Sequence, residues 1–570
     1  MDIVGDYIYD ADRLIFYPKF LSPSSVERIT AAIPSSDEYE QLRCSLETYN
    51  PNDAVVNIST LYHAGICLSN SCNLRCNYCG DSVNNENVNS LSLEDIAVFL
   101  TDLMKRWKLR KISSGKESAL EISFSGGGEP TYNWELFKSA VSMIHQRCAR
   151  NSIPVKLSMT TNGMLTDVQR EFIAANFHLV MVSYDGLPHL QNKNRHSSIY
   201  PTTAETVEDT IRYFSDQNMK LIVRSTVWQD DIVYLPEMAD YLFSNFGTHL
   251  SWSILPVIPM GRALKKVAVQ ASALVNQDFL AAYVQLLKCT EEKYNSPDIS
   301  TPIFSNQVVS RYYCGSLAHN CSNPWLLSNK SIVTCIEPSD AKTVIGKVER
   351  GHVTYFPTCH DPLLCISQMK FTECRECIAY RFCRGGCPAK HLMACEHDNE
   401  LKNWECNEVQ KYWRYVFSQI VSGNECFGWC CVPADEESIQ DYGVLKLTRC
   451  NSEEKKAEES AGLLQGIVAD VVDGEYVLYN PLTGNHHLFN KTASYILHLI
   501  AQSAGTNGVV QIADIVDELM NVCNLPSEVR VTIENDVAEI LQMLIDSGIV
   551  VKKENSIQIV TGVSVPVLNL

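Results

Sequence analysis

Cysteine spacing constrains this chain more than any other feature. Cys72, Cys76 and Cys79 stand in SNSCNLRCNYCG with C-x3-C-x2-C spacing. A second run, CRECIAYRFCRGGC, sets Cys374, Cys377, Cys383 and Cys387 at C-x2-C-x5-C-x3-C. With 23 cysteines in 570 residues, independent placement would yield the first pattern about 0.04 times and the second about 0.002 times. Both are signals. Disulfides suit small secreted scaffolds, whereas the start MDIVGDYIYD has neither the basic region nor the apolar stretch of an export signal. The expectation is metal ligation in the cytoplasm.

At roughly 100 to 200 residues per domain, the length predicts three or four domains. No apolar run approaches the ~18 residues of a membrane span, so no membrane association is expected. A net charge of −19 repels polyphosphate and argues against nucleic acid as a partner.

Residues 1–61 have no sustained period and are taken as an N-terminal cap. From there, strands are expected at His63 to Leu68, Leu120 to Ser125, Val155 to Thr160, Leu179 to Ser183, Leu221 to Val227 and Leu250 to Pro256. Helices such as Leu93 to Trp107, Trp134 to Arg150 and Thr206 to Phe214 fall between them. This alternation predicts an α/β fold, a partial (β/α)6 barrel over 62–300, with function at the C-terminal ends of the strands. The three cysteines follow the first strand, GGGEP (Gly126 to Pro130) the second, TTNG the third and SYDG the fourth. Four unusual loops thus gather on one rim.

Residues 301–430 are irregular and cysteine-rich, a region expected to gain stability from metal more than from an apolar core. Residues 431–462, with the charged run NSEEKKAEES, are expected to form a linker. In 463–570, Ile467 to Val472 and Glu475 to Tyr479 flank Asp473-Gly474, a two-residue hairpin turn. NHHLF supplies a third strand, and Ile512, Ile515, Val516 and Leu519 then show helical spacing, as do Val537, Ile540, Leu541 and Leu544. A small winged-helix-like α+β domain is expected.

Three thiolates on one tight loop can hold a [4Fe-4S] cluster and leave its fourth iron without a protein ligand. Zinc also takes thiolates in C-x2-C pairs, but a structural zinc site wants four, and no fourth is obvious near Cys79. CNLRCNYC after a first strand, with GGGEP after the second, resembles the radical S-adenosylmethionine (SAM) superfamily. The resemblance implies that SAM chelates the open iron and is cleaved to a 5′-deoxyadenosyl radical. It also implies that Gly127, Gly128 and Glu129 meet the methionine amino group. Asn162, Ser183 and Arg224 stand where similar proteins contact the ribose or the ligand carboxylate. As sequence alone they read equally as a turn former, a strand-end hydroxyl and a salt-bridged cation.

The second cysteine region resembles a SPASM domain, the auxiliary-cluster extension of peptide-modifying radical enzymes such as the anaerobic sulfatase maturases. Carried over by position, Cys314, Cys321, Cys335 and Cys387 would hold one auxiliary [4Fe-4S] cluster and Cys374, Cys377, Cys383 and Cys406 another, with Cys395 an alternative to Cys406. The chain departs from that family where Lys330 replaces a usual glycine, and where Cys335 is followed by Ile336 and Glu337 in place of the maturases' Asp. The C-terminal unit resembles the PqqD-like recognition element of enzymes that modify ribosomally made peptides. From Gly462 onward, 4 Lys plus Arg face 12 Asp plus Glu, a net of −8, which disfavours DNA.

Together these resemblances imply three [4Fe-4S] clusters, one binding SAM and two auxiliary. They imply a precursor peptide whose leader docks on the C-terminal domain, and a one-electron donor such as ferredoxin or flavodoxin. The expected product is a thioether or carbon–carbon cross-link. Formylglycine formation on sulfatases and a non-catalytic metal-binding peptide scaffold are the alternatives.

Overall fold

The computed structural model describes residues 2–33 apart from 5, 11–12, 14 and 20, and then 63–80, 88–114, 119–257, 262–263, 279–294, 297–301, 324–333, 344–356, 377–379 and 400–424. Beyond these it describes 426, 429–433, 444–449, 468–472, 475–479, 486–488, 491–503, 509–522, 526, 529–546, 550–553 and 556–559.

Short strands β1 (Asp2–Val4), β2 (Tyr7–Asp10) and β3 (Ile15–Pro18) precede helix α1 (Pro23–Ala32). The central sheet begins with β4 (His63–Ile66), β5 (Leu120–Phe124), β6 (Val155–Thr161), β7 (Leu179–Ser183), β8 (Lys220–Val227) and β9 (Ser251–Pro256). Between them run α2 (Leu93–Ser114), α3 (Trp134–Arg150), α4 (Asp167–Asn176), α5 (Pro188–Asn194), α6 (Ala204–Asp216) and α7 (Leu235–Phe246). All six strands are parallel and neighbour one another in chain order. The expected alternation is therefore present, each strand end lying within two residues of its predicted place.

Local chemistry starts these helices. At α2, Ser92 Oγ accepts from Asp95 N–H at 3.1 Å while Asp95 Oδ2 accepts from Ser92 N–H at 2.9 Å, a reciprocal cap. Thr166 and Gln169 make the same exchange at α4.

Strand alternation separates two faces. Phe124 on β5 meets Phe137 on α3 with ring centroids 5.4 Å apart, and Trp252 on β9 meets Phe243 on α7 at 6.4 Å. The fully buried sets of β5 and β9 thus face the helices, and β6, β7 and β8 alternate in the same way. The alternate set, which includes Ser158, Thr160, Ser183, Arg224, Thr226 and Ser253, is half-buried and lines the inner face.

The sheet does not stop at six strands. Beyond β9, β10 (Ile299–Ser300) adds a parallel pair. On the other side of β4 come β11 (Trp325–Leu326), β12 (Ser331–Val333), β13 (Val344–Glu349) and β14 (His352–Tyr355), which complete an eleven-stranded sheet. Trp325 pairs with Gly65, where an added Cβ would lie 1.9 Å from the indole, so only glycine admits that ring. The expectation that metal outweighs an apolar core in 301–430 needs correction for this part, because Leu326, Ile332, Ile345 and Val348 join the main core. Lys330, at the position of the usual glycine, adopts φ 70° and bonds Asp95 through Nζ at 2.9 Å.

Two boundaries also need correction. Strands β15 (Trp429–Pro433) and β16 (Leu445–Arg449) lie within or beside the predicted linker and pair with the predicted cap in one sheet, ordered β1-β2-β3-β16-β15. The long helix that precedes them, Glu400–Val421, brings Phe417 within 4.4 Å of Tyr9 and 5.1 Å of Phe16, centroid to centroid. Residues from opposite ends of the chain's first 450 thus share one core. The run Asn451 to Ser460 lies outside the described residues.

At the C-terminus, β17 (Val468–Val472), β18 (Glu475–Tyr479) and β19 (His486–Leu488) form the expected three-stranded sheet, with Val472 paired to Glu475 as a two-residue turn requires. Three helices follow, Lys491–Ser503, Ile512–Val522 and Arg530–Asp546. Ile515, Val516, Leu519, Val537, Leu541 and Leu544 are buried together in a core of their own. A second sheet of Val509–Gln511, Val550–Lys553 and Ser556–Ile559 was not expected. Nor was the hairpin's contact: β17 and β18 pack against α2 of the barrel. No described helix is long and apolar enough to cross a membrane.

Candidate active site

The four loops expected on one rim are laced to one another. Gly128 lies so close to the segment before Cys72 that an added Cβ would stand 2.1 Å from the Ser71 carbonyl oxygen. Gly127, at φ +72°, occupies a left-handed conformation that side chains disfavour. Glu129 N–H then donates to that same Ser71 carbonyl at 2.9 Å. Gly128→Ala should therefore push the two loops apart, cost about 1–3 kcal/mol and reduce bound iron, as thermal unfolding and iron analysis would measure.

Glu129 is 3% exposed. Its Oε1 accepts from Thr131 N–H at 3.3 Å, Thr131 Oγ1 at 2.8 Å and Thr161 Oγ1 at 2.9 Å, and its Oε2 from Asn162 N–H at 2.7 Å. Burial raises its pKa, and these bonds oppose the rise. The carboxylate expected to meet an ammonium thus also fastens the GGGEP loop to TTNG. With about four lone-pair sites on a carboxylate, Oε2 retains acceptor capacity.

Asn162 extends the bracing to the cysteine loop, donating Nδ2–H to Asn73 Oδ1 at 2.7 Å and to Cys72 Sγ at 3.7 Å. Leu74 N–H also points at Cys72 Sγ, at 3.4 Å. Ser183 and Arg224 are register partners on the half-buried inner face of β7 and β8. Arg224 Nη1 approaches Met181 Sδ at 3.9 Å. The structure thus joins Gly127, Gly128, Glu129 and Asn162 directly to the cysteine loop, and sets Ser183 and Arg224 side by side on the adjoining wall.

Burial pushes the Cys72 thiol up to about 12, with Glu129 and the thiols of Cys76 and Cys79 adding to the rise. Cys76 is raised by burial too, while Arg195 and Arg262 pull it down. Such thiols favour the ionised form only when a positive centre arrives, so the donor set fits an iron–sulfur cluster. No group of three or more described His, Cys, Asp or Glu side chains is arranged to hold a single metal ion. Each thiolate of a cluster serves its own iron and needs no such convergence. Of the auxiliary candidates, only Cys377 and Cys406 have described side chains, both half-buried. Cys314, Cys321, Cys335, Cys374, Cys383, Cys387 and Cys395 lie outside the described residues.

Sequence reasoning missed four residues. Tyr78 donates its hydroxyl to buried Asp185, which also accepts from Arg195 Nε at 3.0 Å. Arg262 Nη1 donates to the Cys76 carbonyl at 2.9 Å. Buried charge pairs have no periodicity, and the only available signals were the aromatic residue between two cysteines and the Asp in SYDG.

Residues 66–240 match the Radical SAM superfamily, and residues 475–550 match Coenzyme PQQ synthesis protein D (PqqD). The chain carries a radical SAM domain and a C-terminal PqqD domain. Its radical SAM domain has the α/β fold with a mostly parallel sheet, and its cofactors are SAM and a [4Fe-4S] cluster. A curated relative, the Cysteine-type anaerobic sulfatase-maturating enzyme of Clostridium perfringens, is 21% identical over 375 residues, covering 62% of this chain and 95% of that protein. Among solved structures, native anSMEcpe with bound AdoMet is 18% identical with TM-score 0.44, covering 62% of this chain and 99% of that one. Streptococcus suis SuiB bound to precursor peptide SuiA is 15% identical with TM-score 0.42, covering 69% and 97%.

Proposed function

We propose that this radical SAM enzyme modifies a ribosomally made precursor peptide. The observation that carries the reading is the presence of a radical SAM domain and a PqqD domain in one chain. Cys72, Cys76 and Cys79 hold the SAM-binding cluster. Gly127, Gly128, Glu129, Asn162, Ser183 and Arg224 surround SAM, the first four as a braced frame and the last two as polar wall. Bound there, cluster and SAM supply a 5′-deoxyadenosyl radical that abstracts a hydrogen atom from the peptide.

The rim suits a peptide. Between residues 63 and 256, six of the eight exposed large hydrophobic side chains described lie in a strand-to-helix connection or the first turn after it, namely Val88, Leu93, Tyr132, Val168, Val233 and Tyr234, and the other two, Ile199 and Tyr200, join α5 to α6. The reverse connections have none among the described residues. Exposed apolar groups concentrated on one face favour docking there. The leader pairs with an edge of the C-terminal sheet, for which β19 is suited because β17 and β18 lie against α2.

Cys314, Cys321, Cys335 and Cys387, and Cys374, Cys377, Cys383 and Cys406, would hold the two further [4Fe-4S] clusters of a SPASM domain, which would supply an acceptor for the second electron. Residues 463–570 are a winged-helix-like recognition domain. A ferredoxin or flavodoxin supplies the first electron in the cytoplasm. Net removal of two electrons favours a thioether or carbon–carbon cross-link. Cys377→Ala should leave 5′-deoxyadenosine formation and abolish modified peptide, both read by mass spectrometry on precursor with and without its leader. Product of unchanged yield from that variant would exclude an auxiliary-cluster role.

A further inference from the structure

Arg262 follows β9, the last of the six barrel strands, and turns back to the loop that follows the first. Its backbone N–H donates to the Cys79 carbonyl at 3.0 Å, and Nη1 donates to the Cys76 carbonyl at 2.9 Å. Arg195 reaches the same turn from the C-terminal end of α5. There Arg75 N–H donates to the His196 carbonyl at 2.8 Å and Asn77 N–H to the Asn194 carbonyl at 2.9 Å. The Arg195 guanidinium stacks over Tyr78 at 5.2 Å from the ring centroid.

Two guanidinium groups therefore flank one turn of the cysteine loop, and their surroundings differ. Arg195 is 7% exposed and is paired at 3.0 Å with Asp185, itself 2% exposed. Arg262 is half-buried, and no described carboxylate forms an ion pair with it. Among the described residues, Arg75 and Arg262 are thus the guanidinium groups on this loop without a carboxylate partner, and Arg262 is the one that bonds at Cys76 and Cys79. We infer that Arg262, with the charge of Arg195 offset by Asp185, is a positioning residue that sets the reduction potential of the cluster on Cys72, Cys76 and Cys79. The inference rests on the cluster assignment proposed above. Its physical basis is simple. Adding an electron to a cluster already held by thiolates adds negative charge, a fixed cation beside it stabilises the reduced state, and burial limits screening by water.

A structural clamp would make the same bonds to the loop backbone. A redox titration of the full-length chain, followed by electron paramagnetic resonance, separates the two. The signal to follow is the one absent from Cys72→Ala. In Arg262→Gln the reduced-to-oxidised ratio at a fixed potential should fall about tenfold, a midpoint about 59 mV more negative for a one-electron couple. Arg262→Lys keeps the charge and should stay near wild type. Asp185→Asn uncovers the charge of Arg195 and should move the midpoint the other way. A wild-type midpoint in Arg262→Gln with full iron content overturns the inference. So does equal loss of iron from the Gln and Lys variants, which would make Arg262 a clamp. If wild-type protein has no reducible signal that Cys72→Ala removes, the cluster assignment itself falls.

Discussion

Replacing Cys72, Cys76 and Cys79 together with alanine should remove about four irons per chain and all reductive cleavage of SAM. The loop should survive the change, since its backbone is held independently of the thiols. Arg75 Nη1 bonds the Cys72 carbonyl at 2.9 Å, Ser197 Oγ donates to the Asn73 carbonyl at 3.0 Å, and Arg262 holds the carbonyls of Cys76 and Cys79. The variant should therefore fold with a near-normal melting temperature, and the loss belongs to chemistry. Iron and acid-labile sulfide analysis of anaerobically purified protein, with 5′-deoxyadenosine quantified after dithionite, gives the answer. Cleavage that persists would mean that the initiating cluster sits elsewhere.

Deleting residues 463–570 should raise the precursor concentration needed for turnover by orders of magnitude while leaving iron content and uncoupled SAM cleavage largely intact. Strand addition at micromolar affinity is worth about −8 kcal/mol, and its loss leaves only contacts at the rim. The deletion is mechanically plausible because the helices of this unit bury Ile496, Leu497, Ile500, Ile515 and Leu544 in a separate core. The hairpin's contact with α2 adds a refinement. Truncation uncovers that helix face, so turnover should be compared with a leaderless precursor, which the deletion should not affect. Equal dependence on the leader before and after truncation would remove the domain from recognition.

Much of the barrel was legible because its signals are local. A strand with one helix-covered face alternates with period two, and a helix with one buried stripe recurs at 3.6, so β5, β7 and α3 could be placed to within a residue. The glycine loop was legible for a similar reason, since three glycines in a row are costly unless close approach is needed, and Gly128 against Ser71 is such an approach. Partner choice across long separations was not legible. Nothing in WCCVP or LKLTR names IFYP as a neighbour, yet Leu445 pairs with Phe16 and Lys446 with Ile15. Short strands in an irregular, cysteine-rich stretch gave equally little warning that β11 would continue the barrel sheet beyond β4.

The candidate site divides along the same line. Cysteine spacing, the four strand-end loops and the compact C-terminal unit are properties of consecutive residues, and sequence alone determined them. Tertiary structure decided what the buried charges do. Glu129 was expected at a ligand and is also spent on Thr131, Thr161 and Asn162. Arg195 and Arg262 carry no motif and still converge on the cysteine loop, one from the end of α5 and the other from beyond β9. The physical reason is that hydrophobic patterning is set by each residue's own exposure, whereas a buried charge is stable only beside a partner that folding brings to it.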